Sequence, residues 1–177
     1  QLPLSFTPDG KTLVFGQNSD IWMLPLENDR KPQPFLQSSA HEFSGIISPD
    51  GRWMAYASDE SGKYEINVVP FPQRDGKWQI STGGGLNPLW SRDGKELFYV
   101  NGSSLMAVKV SSQSTFDYSV PQKLCDIPAT VQVFDVSPDA QQFVVLSTKS
   151  LQFTMPQVDV VVEWFQELKG KFATNRN

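Results

Sequence analysis

The sequence predicts an all-β fold built from about four repeated antiparallel sheets. A turn motif centred on aspartate recurs four times, at Asp9, Asp50, Asp93 and Asp139, with spacings of 41, 43 and 46 residues. Each copy is followed by a short apolar run that is typical of a β-strand. Units of about 43 residues, each with four short strands, are typical of the blades of a β-propeller.

The repeated turn has a clear physical basis. Proline sets φ near −65°, aspartate can accept hydrogen bonds from nearby amides, and glycine tolerates the left-handed conformation that closes the turn. In the fourth copy Ala140 replaces the glycine. Either that turn keeps its shape at a strain of about 1 kcal/mol, or its geometry differs. We assign a structural turn role to Pro8, Asp9, Gly10, Pro49, Asp50, Gly51, Asp93, Gly94, Pro138 and Asp139.

We interpret residues 1–177 as a single partial propeller domain. Its predicted blades cover 1–40, 41–85, 86–130 and 131–163, and a short helix is predicted at 162–170. The fourth blade has only three predicted strands, near 132–137, 141–147 and 157–163, and the chain starts at an inner strand. We therefore expect part of a larger propeller of about six to eight blades. A ring closed by two copies and a short open array are the alternatives.

Composition excludes several classes of function. The net charge is −4, and the 15 lysines and arginines form no cluster, which argues against nucleic-acid binding. No apolar run approaches the ~20 residues of a membrane helix, so we expect no membrane insertion. Cys125 and His41 are the only cysteine and histidine, which excludes internal disulfides and cysteine- or histidine-rich metal sites. We predict no cofactor and no metal.

Three features were weighed as chemical sites. His41 could be a general base at a channel mouth, but a loop histidine is the favoured interpretation. The run Gly83–Gly85 could bind phosphate, but a strand follows it instead of a helix, which favours a flexible turn between blades. The repeated aspartates could bind calcium, but each belongs to its own turn and they cannot all converge on one ion.

Aromatic residues outside the repeat pattern are the candidates for binding a partner. If they were exposed on one face, they could anchor a protein or peptide. They are Tyr64, Phe71, Trp78, Phe116 and Tyr118.

The repeats resemble those of the TolB family of WD40-like propellers. The second copy matches best, from Ser48-Pro49-Asp50-Gly51-Arg52 through Trp53-Met54-Ala55-Tyr56-Ala57-Ser58. Stretches such as 64–72, 76–85, 90–99 and the tail 160–168 further resemble the C-terminal propeller of some bacterial Ser/Thr protein kinases. The second resemblance implies a position outside the cytoplasmic membrane, although the sequence itself leaves the compartment unknown.

Two functions follow from these observations. The first is a non-catalytic interaction or sensor module that binds a protein or peptide. The second, suggested by TolB-like propellers attached to peptidases, is a propeller that gates substrate entry to a hydrolase. The nucleophile elbow Gly-x-Ser-x-Gly is absent from the sequence, which favours the first.

Overall fold

The computed structural model describes residues 1–111, 115–127 and 131–147, and the regular structure in these ranges is β-strand throughout. These ranges contain no helix, and hence none long and apolar enough to cross a bilayer. The paired strands run antiparallel. The prediction of an all-β fold built from four-stranded antiparallel sheets is confirmed.

In the first two sheets, strands that follow each other in the chain lie side by side. The first sheet contains β1 (Leu2–Phe6), β2 (Thr12–Gln17), β3 (Asp20–Pro25) and β4 (Gln33–Leu36). The second contains β5 (Glu42–Ile47), β6 (Trp53–Ser58), β7 (Glu65–Pro70) and β8 (Trp78–Gln79). The third begins with β9 (Leu86–Trp90), β10 (Glu96–Asn101) and β11 (Ser104–Ser111). A further pair follows, β14 (Val131–Val136) with β15 (Phe143–Ser147).

The outer strands of the second and third sheets are shorter or more interrupted than in the predicted four-stranded blades. β8 has two residues, although the ladder continues through the Ile80 N–H, which donates to the Ile66 carbonyl at 2.8 Å. In the third sheet two strands share the outer position along β11, namely β12 (Asp117–Tyr118) and β13 (Gln122–Asp126). Pro121 lies between them and has no N–H to donate, which accounts for the interruption. The predicted strand at 157–163 and helix at 162–170 lie outside the described residues.

The apolar core lies between consecutive sheets. Side chains alternate across each strand, so Met54 packs towards the first sheet and Ala55 towards the third. The first cluster includes Val14, Ile21, Ile47, Met54, Tyr56 and Val69, and the second includes Ala55, Ile66, Val68, Trp90, Leu97 and Tyr99. The third includes Phe98, Val100 and Leu105, with Val136 and Phe143 packed against them. In the second and third sheets, we call the face that packs against the preceding sheet the N-terminal face. The same name is used for the equivalent face of the first sheet.

Candidate functional site

The four repeated turns share one hydrogen-bond network. In each turn the aspartate Oδ1 accepts a hydrogen bond from a Ser or Thr hydroxyl two residues earlier, at 2.5 to 2.8 Å. The same Oδ1 accepts the backbone N–H two residues later, at 3.0 to 3.1 Å. The hydroxyl oxygen in turn accepts the backbone N–H five residues after it, at 2.9 to 3.0 Å. This hydroxyl was not among the predicted turn residues, although Ser or Thr stands at that position in every repeat.

These hydrogen bonds hold the pKa of the turn carboxyl groups below the usual range. For Asp93 the backbone N–H of Lys95 and the hydroxyl of Ser91 lower the pKa. For Asp50 burial opposes the shift, but hydrogen bonds from Ser48 and Arg52 outweigh it, so the pKa is again lowered. A depressed pKa means that these turns stabilise the fold above the unfolded pKa and lose that contribution as the pH falls through the folded value.

Consecutive turns also pack against each other. A β-carbon added to Gly51 would lie 3.5 Å from Cδ of Pro8, and one added to Gly94 would lie 3.6 Å from Cδ of Pro49. In the fourth turn Ala140 adopts φ 57°, and its N–H donates to the Ser137 carbonyl at 2.9 Å. The fourth turn therefore keeps the shape of the others with alanine in a left-handed conformation.

The aromatic residues predicted to bind a partner do not lie together on one face. Phe116 is buried, and its ring centroid lies 4.9 Å from that of Trp53 and 5.2 Å from that of Trp78. Tyr118 continues this group, with its ring 6.0 Å from Phe116. These side chains fill the outer part of the space between the second and third sheets.

Phe71 and Tyr64 lie elsewhere in the second sheet. Phe71 is buried with its ring 5.2 Å from that of Phe35, and Tyr64 stands edge-on to Phe43 at 4.9 Å. Phe71 also contributes to the wall of a cavity of about 480 Å³ between the first two turns. The expectation of a common exposed face is wrong for Phe71 and Phe116, because both fill gaps between sheets.

His41 lies in the link between the first two sheets. Its backbone N–H donates to Oδ1 of Asp59 at 2.8 Å, and its Nδ1 is 4.0 Å from Oδ2 of the same residue. The imidazole is largely exposed. Asp59 therefore fixes the backbone of the link and leaves the ring facing solvent.

The glycine-rich link between the second and third sheets encloses a carboxylate of the protein itself. Glu65 is buried, and its Oε1 accepts the N–H groups of Gly83 and Gly84 at 2.8 and 3.0 Å. The hydroxyl of Ser81 donates to its Oε2. The amides that a phosphate loop would offer to an anion are thus already used by Glu65. Burial, together with this nearby charge, raises the pKa of Tyr99 to about 12.

The N-terminal face of the first sheet is apolar and uncovered at its edge. Phe6 occupies the strand position of Ile47 and Trp90, yet it is 59% exposed whereas they are 7% and 5% exposed. Leu13 and Leu24 are cross-strand partners on the same face and line a shallow cavity of about 280 Å³. In the second and third sheets the corresponding face is covered by the preceding sheet.

Comparisons with known proteins identify the fold and no closer relationship. No family model matches this sequence, and no curated relative matches it significantly. Among solved structures the chain is similar to TolB from Acinetobacter baumannii, with a TM-score of 0.64 and 16% identity over 85% of this chain and 38% of that one. It is also similar to the periplasmic gluconolactonase PpgL of Pseudomonas aeruginosa, with a TM-score of 0.57 and 16% identity over 81% and 49% of the two chains. For the tricorn protease the TM-score is 0.54 and the identity 15%, over 73% and 17%.

The chain thus spans less than two thirds of the length of each of these structures. The resemblance to kinase propellers, which is more specific, stays a prediction. The strand order, the packing between successive sheets and the similarity to TolB together show that the chain has a TolB-like β-propeller fold.

Proposed function

We propose that this chain is a non-catalytic interaction module that belongs to a larger β-propeller. The observation that carries the proposal is the uncovered N-terminal face of the first sheet, where Phe6 is exposed at a position that other sheets bury. Exposed apolar surfaces of this kind mark sites of association. The shape and chemistry of the face suit another propeller sheet, because equivalent faces in this chain are covered by such sheets.

The partner of the assembled module is proposed to be a protein or peptide. This part of the proposal rests on the TolB-like fold and on the resemblance of several stretches to kinase propellers. In its finer form the chain is the C-terminal sensor region of a receptor-like bacterial Ser/Thr kinase, positioned outside the cytoplasmic membrane. A second copy of the chain that closes a ring is the rival for the covering sheet.

Light scattering after size exclusion tests the exposed face. We expect the mass of the isolated chain to rise above 19.8 kDa with concentration, and the change Phe6→Ser to return it towards the monomer. Val120→Ser is the matched control, since Val120 is 81% exposed but lies between β12 and β13, away from this face. A discrete dimer abolished by Phe6→Ser would favour the second copy. A strict monomer at every concentration would contradict an adhesive face.

A substrate-gating or enzymatic role is the second candidate, favoured by the similarity to the tricorn protease and to a gluconolactonase. A screen of the purified chain with peptide, ester and lactone substrates separates the two functions. We expect no turnover above the uncatalysed rate. Turnover that purifies with the chain would contradict the non-catalytic proposal.

A further inference from the structure

Two buried acidic residues lie next to each other where the first sheet joins the second. Asp20 begins β3 and Glu42 begins β5, and the Glu42 N–H donates to the carbonyl of Ser19 at 2.8 Å, so the two backbones are adjacent. Asp20 is 9% exposed and Glu42 is 6% exposed. Burying two like charges side by side is costly unless a positive group accompanies them.

The protein supplies few hydrogen bonds to this pair. Oδ2 of Asp20 accepts from Nε2 of Gln37 at 3.2 Å, and Oε1 of Glu42 accepts from the hydroxyl of Ser38 at 2.5 Å. Within the part of the chain that the structure describes, Oε2 of Glu42 is buried without a hydrogen-bond partner. Burial raises the pKa of Glu42, and the charges of Asp20 and Glu60 add to the effect, while the hydrogen bond from Ser38 and the charge of Lys77 oppose it.

The next junction shows how the same fold satisfies a buried carboxylate. Glu65 begins β7 as Asp20 begins β3, and both pair with the last residue of the preceding strand. Gly85 stands where Glu42 does, since its N–H donates to the Tyr64 carbonyl at 2.8 Å, as that of Glu42 does to Ser19. There two backbone amides and a hydroxyl donate to one carboxylate, and the Lys63 ammonium lies 3.7 Å from its Oε1. The first junction has a second carboxylate in place of those amides.

We propose that Asp20 and Glu42 hold a hard divalent cation of the Ca²⁺ type. Two carboxylates balance its charge, and the Ser38 oxygen, nearby backbone carbonyls and water can complete an all-oxygen shell. In the described ranges no group of three or more His, Cys, Asp or Glu side chains could hold a metal, so Asp20 and Glu42 would be the only charged ligands of this ion. Carboxylate and hydroxyl oxygens suit Ca²⁺ better than zinc. Mg²⁺ suits the site less, because it keeps several waters and the carboxylates are largely enclosed.

A polar cavity lies on the second sheet beside the junction. It has a volume of about 310 Å³ and is lined in part by Ser58, the cross-strand partner of Glu42, and by Glu60 and Lys77. The Lys77 ammonium is paired with Glu60.

Calorimetry and thermal unfolding of the chelator-treated chain test the proposal. We expect CaCl₂ up to about 10 mM, above the ~1 mM range of weak extracellular sites, to bind with a stoichiometry near one and to raise Tm. MgCl₂ should do so more weakly. Glu42→Gln and Asp20→Asn should each remove the Ca²⁺ response, while Glu27→Gln, which changes an exposed carboxylate paired with Lys11, should leave it intact.

The behaviour without metal separates loss of the site from loss of the fold. In chelator Glu42→Gln should unfold at or above the Tm of the unmodified chain, because it removes a buried negative charge beside Asp20. Absence of any Ca²⁺ heat or Tm shift would overturn the proposal and leave a proton as the neutralising group. Unchanged Ca²⁺ binding in both Glu42→Gln and Asp20→Asn would overturn it as well, since the ion would then bind elsewhere.

Discussion

The first and second sheets present the same kind of face to their N-terminal sides, but only the second face is covered. At one strand position Phe6 is 59% exposed, while Ile47 and Trp90 are 7% and 5% exposed in the next two sheets. All three side chains are large and apolar, so the difference arises from the neighbouring sheet. The apolar pattern of each repeat therefore encodes the contact between sheets, which a single repeat cannot satisfy.

Removing a covered side chain at this position should give the largest effect. Trp90 is buried between sheets, and its indole N–H donates to the carbonyl of Ile46 at 3.2 Å. We expect Trp90→Ala to lower the free energy of unfolding by about 3–5 kcal/mol. Phe6→Ala should change it by about 0.5 kcal/mol or less. Urea unfolding of both variants provides the measurement, and equal losses would show that the two faces do not differ.

Replacing Glu65, the buried carboxylate enclosed by the glycine-rich link between the second and third sheets, should give the second-largest loss of stability. Glu65→Gln keeps the size of the side chain but turns one acceptor oxygen into an amide NH₂, which then faces either the N–H groups of Gly83 and Gly84 or the hydroxyl of Ser81. We expect a loss of about 2 kcal/mol in the free energy of unfolding. Glu27→Gln, on the surface, should cost about 0.5 kcal/mol or less. If the two variants unfolded alike, Glu65 would not be what fastens the glycine-rich link.

Exchanging glycine and alanine at the equivalent position of the third and fourth turns should change the free energy of unfolding by less, and with opposite signs. Gly94 has φ 71°, so Gly94→Ala should cost about 1 kcal/mol, although the added β-carbon only touches Pro49. Ala140→Gly removes the equivalent strain in the fourth turn and should be neutral or stabilising by less than about 1 kcal/mol. Thermal unfolding tests the pair, and destabilisation by Ala140→Gly would contradict the equivalence of the turns.

The repeat was predictable from sequence because the turn is a local structure. The Pro-Asp-Gly pattern and the apolar run after it depend on neighbouring residues. In the fourth unit the strands predicted near 132–137 and 141–147 are observed at Val131–Val136 and Phe143–Ser147. For Ala140 the sequence left two geometries open, and the structure has the left-handed one.

The features that were missed depend on contacts between sheets. The burial of Phe71 and Phe116 follows from side chains on other strands, which spacing within one repeat does not reveal. The enclosure of Glu65 by Gly83 and Gly84 joins residues 18 and 19 positions apart, and no local pattern signals it. The buried oxygen of Glu42 that lacks a hydrogen-bond partner likewise depends on tertiary contacts, so no local sequence pattern indicates it.

The reaction of engineered thiols tests most directly whether one face is covered and the other is not. Cys125, the only cysteine, is exposed, so Cys125→Ser gives a silent background for Phe6→Cys and Ile47→Cys. In dilute solution we predict that the thiol introduced at Phe6 reacts with a small maleimide about 100-fold faster than the one at Ile47, because only the latter requires local opening. Equal rates at the two positions would contradict the account.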